Sequence, residues 1–153
     1  MKHFTKLVAF IMLIFFLLPN STYAANTVDS AQSIIYYDDG SYMIIEIGYI
    51  DTRAVSTRVG YKTYTRYRSD DVIQWKATLS ATFEYDNSTA ICLSSDCEVE
   101  ISDSNWYLES KSASKSGATA TAQVTMFRKF LGIRVNTETI DLSLTCTPNG
   151  DFV

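Results

Sequence analysis

Apolar and polar residues alternate along most of the chain, with the period of two that is typical of a β-strand with one buried face and one wet face. The longest run covers residues 73–86, where Trp75, Leu79 and Phe83 share one parity with other apolar or aromatic residues and the opposite parity is polar throughout. A helix would scatter the same residues around its circumference. The pattern therefore predicts one long strand.

Turn signals separate the alternating runs. Asp38-Asp39-Gly40 lies between residues 33–37 and 41–50, both rich in β-forming residues. This arrangement predicts a hairpin, because glycine adopts positive φ at little cost. In the same way, Asp70-Asp71 predicts the turn that joins residues 55–69 to the long strand, and Leu131-Gly132 predicts a later turn.

Residues 89–117 give a more broken pattern. Ser94-Ser95-Asp96 is expected to form the tip of a hairpin between residues 89–93 and 97–102. Residues 105–110 are expected to form a strand, and the small, polar residues 112–117 a loop.

The whole pattern contains about eight or nine strands and no helix. It predicts an all-β protein, most simply an antiparallel β-sandwich that is Ig-like or jelly-roll-like, with a closed barrel as the alternative. A sandwich is favoured over a single sheet because a single sheet would leave the face that carries the tryptophan exposed to water. A change of parity within the last strand predicts a bulge near residues 136–139.

The N-terminus has the pattern of a secretory signal peptide. Two lysines precede the unbroken apolar run Leu7–Leu18, and small residues, Thr22 and Ala24, follow it. Twelve apolar residues make a helix of about 18 Å, too short for a hydrocarbon core of about 30 Å. Residues 1–24 are therefore predicted to be removed, leaving residues 25–153 as a single secreted domain with no membrane span.

Composition restricts the chemistry of this domain. Without the signal peptide it has 11 cations and 17 acids, a net charge of −6, which argues against nucleic-acid binding. The only histidine, His3, lies in the signal peptide, so the mature chain has no imidazole for catalysis or for metal binding. No glycine-rich phosphate loop occurs. The expectation is a protein that is not an enzyme and that holds no cofactor and no metal.

Acidic residues leave one enzymatic alternative open, a carboxylate-based glycan hydrolase. Turn-forming or solvent-facing positions account better for the candidate acids, which are Asp38, Asp39, Asp70, Asp71, Glu98, Glu100 and Asp141.

One basic and aromatic segment, residues 53–68, is the candidate binding site. It carries five of the 11 cations of the mature chain. Guanidinium groups and phenol rings suit anionic polymers, which makes an anionic cell-envelope polymer or a protein the candidate partner. The residues predicted to make the contact are Arg58, Lys62, Tyr64, Arg66 and Arg68. The alternative is a solvated strand face whose charges prevent edge-to-edge aggregation.

The three cysteines, Cys92, Cys97 and Cys146, allow one disulfide and one spare thiol in an oxidising compartment. A bridge between Cys92 and Cys97 would constrain the unfolded chain little. A bridge from either of them to Cys146 would close a loop of about 50 residues and stabilise the fold by about 4 kcal/mol.

Three runs of the sequence, WKATLSATFEYDNSTAIC, NWYLESKSASKSGATATAQ and LSLTCTPNGDFV, resemble a group of small exported proteins of Gram-positive bacteria, the Firmicutes, that has no assigned activity. The resemblance implies an exported all-β protein, and it implies that Cys92 and Cys146 are the disulfide partners. The leading functional hypothesis is a secreted, non-enzymatic β-sandwich that binds at the cell surface or to an extracellular partner. The alternative is a secreted antagonist, a bacteriocin-like toxin or an inhibitor.

Overall fold

The computed structural model describes residues 31–50 and 56–153, and the predicted signal peptide lies outside the described residues. Within these ranges the chain forms antiparallel strands and no helix. The strands are β1 (Ala31–Tyr36), β2 (Tyr42–Ile50), β3 (Thr57–Tyr67), β4 (Ile73–Tyr85), β5 (Ala90–Ile101), β6 (Trp106–Ser116), β7 (Thr119–Phe130) and β8 (Ile133–Thr145).

Two sheets pack face to face, which confirms the predicted all-β sandwich. The larger sheet has the order β1-β2-β3-β4-β5 and the smaller one β6-β7-β8. Both sheets are meanders in which sequential strands are neighbours, so the connections differ from the Greek-key connections of Ig-like and jelly-roll sandwiches. The smaller sheet covers β3, β4 and β5, whereas β1 and β2 extend past its edge.

The core lies between β4 on the larger sheet and β7 and β8 on the smaller one. Trp75, Leu79 and Phe83 are completely buried, as the alternation predicts. Trp75 meets Trp106 of β6 edge to face across the two sheets, with ring centroids 6.0 Å apart. The alanines of β7 that face the larger sheet, Ala120 and Ala122, are also buried.

The predicted hairpin tip at Ser94-Ser95-Asp96 is wrong, because β5 is one continuous strand. Its partner β4 is long enough to pair with all of it, from Ala90 opposite Tyr85 to Ile101 opposite Trp75. A bulge leaves Leu93 without a partner of its own. Residues five positions apart normally project from opposite faces of a strand. Because the bulge adds one residue between them, Cys92 and Cys97 both project into the core.

The predicted loop at residues 112–117 is also wrong, because β6 runs to Ser116 and pairs with β7 along its whole length. Small polar residues are tolerated there because β6 is the edge strand of the smaller sheet and exposes them to water. The bulge of the last hairpin falls at Val135, just before the predicted position, since Lys129 pairs with Arg134 and Arg128 with Asn136.

Gly60 of β3 lies under the C-terminal segment, and this contact gives a first prediction. A Cβ at this position would lie 2.6 Å from the Phe152 ring and 3.0 Å from Leu144. Gly60→Ala is therefore expected to lower the free energy of unfolding by about 1–3 kcal/mol, measured from the midpoint of urea unfolding. The double variant Gly60→Ala/Phe152→Leu should recover part of the loss, and equal stability of Gly60→Ala and the parent would contradict this packing.

Candidate functional site

We call the five residues predicted to make the contact, Arg58, Lys62, Tyr64, Arg66 and Arg68, the β3 stripe. Its four members within β3 lie on the inner face of the larger sheet. Lys62 is opposite Leu79, Tyr64 opposite Ala77 and Arg66 opposite Trp75, and directly paired residues project from the same face. Their shared parity therefore aims these side chains at the smaller sheet. Arg68, the last member, follows the end of the strand.

Two cations of the stripe bond to backbone carbonyls. The Arg58 guanidinium donates to the Gly150 carbonyl at 2.6 Å and stands 4.3 Å from the centroid of the Tyr49 ring. The Lys62 ammonium donates to the Ser143 carbonyl of β8 at 3.1 Å. Both contacts join the larger sheet to β8 or to the segment after it.

Arg66 is the most deeply placed cation of the stripe, with only 4% of its surface exposed. Its guanidinium lies 3.6 Å from the centroid of the Tyr37 ring and forms an ion pair with Glu138 of β8 at 3.4 Å. The Tyr37 hydroxyl donates to the same carboxylate at 2.8 Å. Burial, and then the hydrogen bond to Glu138, raise the pKa of Tyr37 to about 12. This triad is a polar connection between the sheets.

The opposite edge of the sandwich is joined by two lysines of β6 that the sequence pattern did not single out. Lys111 donates to the Cys97 carbonyl of β5 at 2.8 Å, and Lys115 donates to the Cys92 carbonyl at 3.2 Å. Cations thus connect the sheets at both edges, and Arg58, Lys62, Lys111 and Lys115 do so by donating to backbone carbonyls.

These contacts change the interpretation of the β3 stripe. Arg58, Lys62 and Arg66 are used inside the fold, and the exposed Arg68 holds the Asp70 carboxylate through two hydrogen bonds of 2.6 Å. Contact between the stripe and an anionic polymer stays a prediction, which the internal partners of its cations do not support.

Five of the seven candidate acids have hydrogen-bond or ion-pair partners within the fold. Asp39 accepts hydrogen bonds from the hydroxyl and from the backbone N–H of Ser41 in the β1–β2 turn, and these hydrogen bonds lower the pKa of its carboxyl group. Glu100 forms an ion pair with Lys76 across β4 and β5 at 3.0 Å. Asp141 accepts a hydrogen bond from Gln123 on the next strand. In the part of the chain that the structure describes, no group of three or more histidine, cysteine or acidic residues is arranged to hold a metal ion.

The β7–β8 hairpin ends in an apolar projection that we call the tip, residues 130–133. Its apolar side chains are strongly exposed: Phe130 by 61%, Leu131 by 87% and Ile133 by 69%, and the neighbouring Val135 by 56%. Single exposed apolar residues are ordinary, whereas a contiguous group marks a surface that contacts something other than water.

Leu131 occupies a conformation that leucine rarely adopts. The turn has two residues, Leu131 with φ +50° and Gly132 with φ +80°, the type I′ form that asparagine followed by glycine fits best. A left-handed conformation costs a residue with a Cβ about 1–2 kcal/mol. The side chain of Leu131 is also the most exposed of the tip, so burial in the core does not offset this cost.

Cations and aromatic rings lie directly below the tip. Tyr107 and Phe127 stack with ring centroids 5.2 Å apart. The Lys129 ammonium lies 4.8 Å from the centroid of the Tyr107 ring, and the Arg134 guanidinium lies 4.7 Å from that of Phe127 and pairs with Glu109. Sequence reasoning recognised only the turn here. The signal it missed is apolar residues at a hairpin turn, where polar residues are the rule.

The three cysteines are buried and unpaired in the structure. The N–H of Cys92 bonds to the carbonyl of Gly117, and the N–H of Cys146 bonds to the carbonyl of the next residue, Ala118. These adjacent carbonyls bring β5 and the end of β8 together at the β6–β7 turn, whereas Cys97 lies five residues farther along β5. Burial raises the pKa of all three thiols.

Among the described residues, no helix is long and apolar enough to cross a bilayer. No protein-family model, no curated protein and no solved structure matches the chain. Its function therefore has to be inferred from its own surface.

Proposed function

We propose that the chain is an exported, non-enzymatic β-sandwich that acts by binding at a cell surface or to an extracellular partner. The observation that carries this proposal is the tip. It presents three contiguous apolar side chains to water, one of them in a strained conformation, next to cations that suit an anionic envelope component. The β3 stripe stabilises the sandwich, and the tip makes the contact.

Export through cleavage after Ala24 is part of the proposal. The protein recovered from the culture medium should begin at Ala25, which N-terminal sequencing or intact mass measures. A chain that stays in the cell with residues 1–24 attached would contradict it.

Replacing one exposed residue of the tip tests the binding. Ile133→Ser is expected to reduce association with whole cells or isolated envelopes by about tenfold, because it removes apolar surface from the contact. Pull-down of the secreted chain with envelopes measures the effect. Ile91→Ser is the matched control, since Ile91 is also exposed, by 52%, but lies on β5. Equal loss in both variants, or no loss in either, would contradict a contact through the tip.

The alternative function, a secreted antagonist, is favoured by the same feature, because an apolar and cationic projection also suits a protein that attacks the envelope of another cell. Growth inhibition by the purified secreted chain, lost in Ile133→Ser and kept in Ile91→Ser, would establish this alternative.

Export also places the cysteines where a disulfide can form. The adjacent backbone contacts of Cys92 and Cys146 support their pairing over one that involves Cys97. Such a bond would fix the edge strand of the larger sheet to the smaller sheet.

A further inference from the structure

From the shape, the charge and the strain of the tip, we propose that its partner is the interface of an anionic lipid bilayer. Phe130, Leu131 and Ile133 enter the headgroup region, and the cations below them contact lipid phosphates. This inference rests on the proposed function and names the partner class of the same surface.

The shape of the tip favours lipid over a folded protein. Strand β6 begins at Trp106, opposite Arg128, so the hairpin continues past it with only two strands. Phe130 and Ile133 are directly opposite each other and project from one face of this narrow ribbon, with Leu131 at its end. A protein partner would need a matching pocket, whereas fluid acyl chains close around a convex apolar projection of any shape.

The distribution of charge matches an anionic surface. Two cations, Lys129 and Arg134, lie directly below the tip and one acid, Glu109, pairs with Arg134, so this end of the hairpin keeps a positive charge although residues 25–153 carry a net charge of −6. Lys129 and Arg134 are paired one position below Phe130 and Ile133, about 3.3 Å along the strands. When the apolar residues enter the bilayer, these cations lie at the depth of the phosphates, where anionic lipid attracts them.

Aromatic residues lie farther from the end of the hairpin than these two cations. Tyr107 and Phe127 stack beside Lys129 and Arg134, and 41% of the Tyr107 side chain is exposed. Tyrosine is favoured at the boundary between lipid and water, because its ring is apolar and its hydroxyl is polar. From its end inward, the hairpin is therefore first apolar and then both cationic and aromatic, and the cationic and aromatic side chains both suit the headgroup region.

The conformation of Leu131 supplies a variant that should fold at least as well as the parent. Asparagine adopts the positive φ of this turn more easily than leucine does. Leu131→Asn should raise the melting temperature by about 4 °C, since it relieves strain in a domain of this size. The same change removes the most exposed apolar side chain of the tip and should weaken lipid binding about tenfold.

The experiment is co-sedimentation of the secreted chain with vesicles made of equal parts phosphatidylglycerol and phosphatidylcholine, and with vesicles of phosphatidylcholine alone. We expect binding to the anionic vesicles, weaker binding at high salt because of screening, and far less binding to the neutral ones. Lys129→Glu should reduce binding to the anionic vesicles about tenfold or more. Lys76→Glu, which makes the same change of charge on the outer face of the larger sheet, is the control and should bind as the parent does.

Absence of binding to anionic vesicles, or equal binding by the parent and Leu131→Asn, overturns the lipid inference. If the parent then still associates with cells through Ile133, the partner is a protein or a polymer, and the proposed function survives without this inference. Concentration-dependent dimerisation that Leu131→Asn abolishes also overturns it, because the tip would then bind a second copy.

Discussion

Glu138→Ala is expected to lower the free energy of unfolding by about 3–5 kcal/mol, because it leaves the Arg66 guanidinium buried without its ion-pair partner. The same change removes the acceptor of the Tyr37 hydroxyl. Stabilities of small domains are only about 5–15 kcal/mol, so this one substitution removes a large fraction of the total. Urea unfolding followed by tryptophan fluorescence measures the loss, since Trp75 is paired with Arg66 across β3 and β4.

A surface ion pair provides the matched control. Glu109 pairs with Arg134 at 2.6 Å, but both side chains are about 40% exposed. Glu109→Ala should therefore cost less than about 1 kcal/mol. The double variant Arg66→Met/Glu138→Leu should recover most of the stability, because an apolar pair needs no desolvation of charge. If Glu138→Ala unfolds no more easily than Glu109→Ala, the pair does not join the sheets in solution.

Oxidation of Cys92 and Cys146 is expected to stabilise the fold by about 4 kcal/mol, because it closes a loop of more than 50 residues in the unfolded chain. With oxidised glutathione as the oxidant, the two thiols lose two hydrogens, one S–S bond forms, and two molecules of reduced glutathione leave. Burial raises the pKa of both thiols and disfavours the reactive thiolate, so the bond should form during folding more readily than afterwards.

Peptide mass mapping without reductant identifies the pair, and urea unfolding with and without reductant measures its contribution. Cys97→Ala should keep the effect of the reductant, whereas Cys146→Ala should abolish it. A bond that contains Cys97, or a secreted chain with three free thiols, would contradict the pairing.

The strands that the sequence predicted best are those with one buried and one wet face. In β4, the even positions are polar and most odd positions are buried, so the pattern alone identified the strand and its inner face. The Asp38-Asp39-Gly40 turn was equally clear, since Gly40 has the positive φ that its residue type allows.

The two wrong predictions both concern strands at an edge of a sheet. Neither β5 nor β6 buries a complete face, so no long alternation marks them, and their small polar residues look like loops. A neighbouring strand decides their conformation by supplying hydrogen-bond partners over their whole length. Such partners are distant in sequence and leave no local signal.

The sequence by itself determined that the chain is all-β, where the long strand β4 lies, and that residues 25–153 contain no histidine, because these properties depend on local alternation and on composition. Only the tertiary structure decided what the cations do. The pattern placed Arg58, Lys62 and Arg66 on one side of a strand, and the packing of β8 against that side made it the interior. The same packing left the hairpin of β7 and β8 projecting past β6, with Leu131 in water. Whether a side chain is buried depends on which faces of the two sheets pack together, and local sequence patterns do not contain this information.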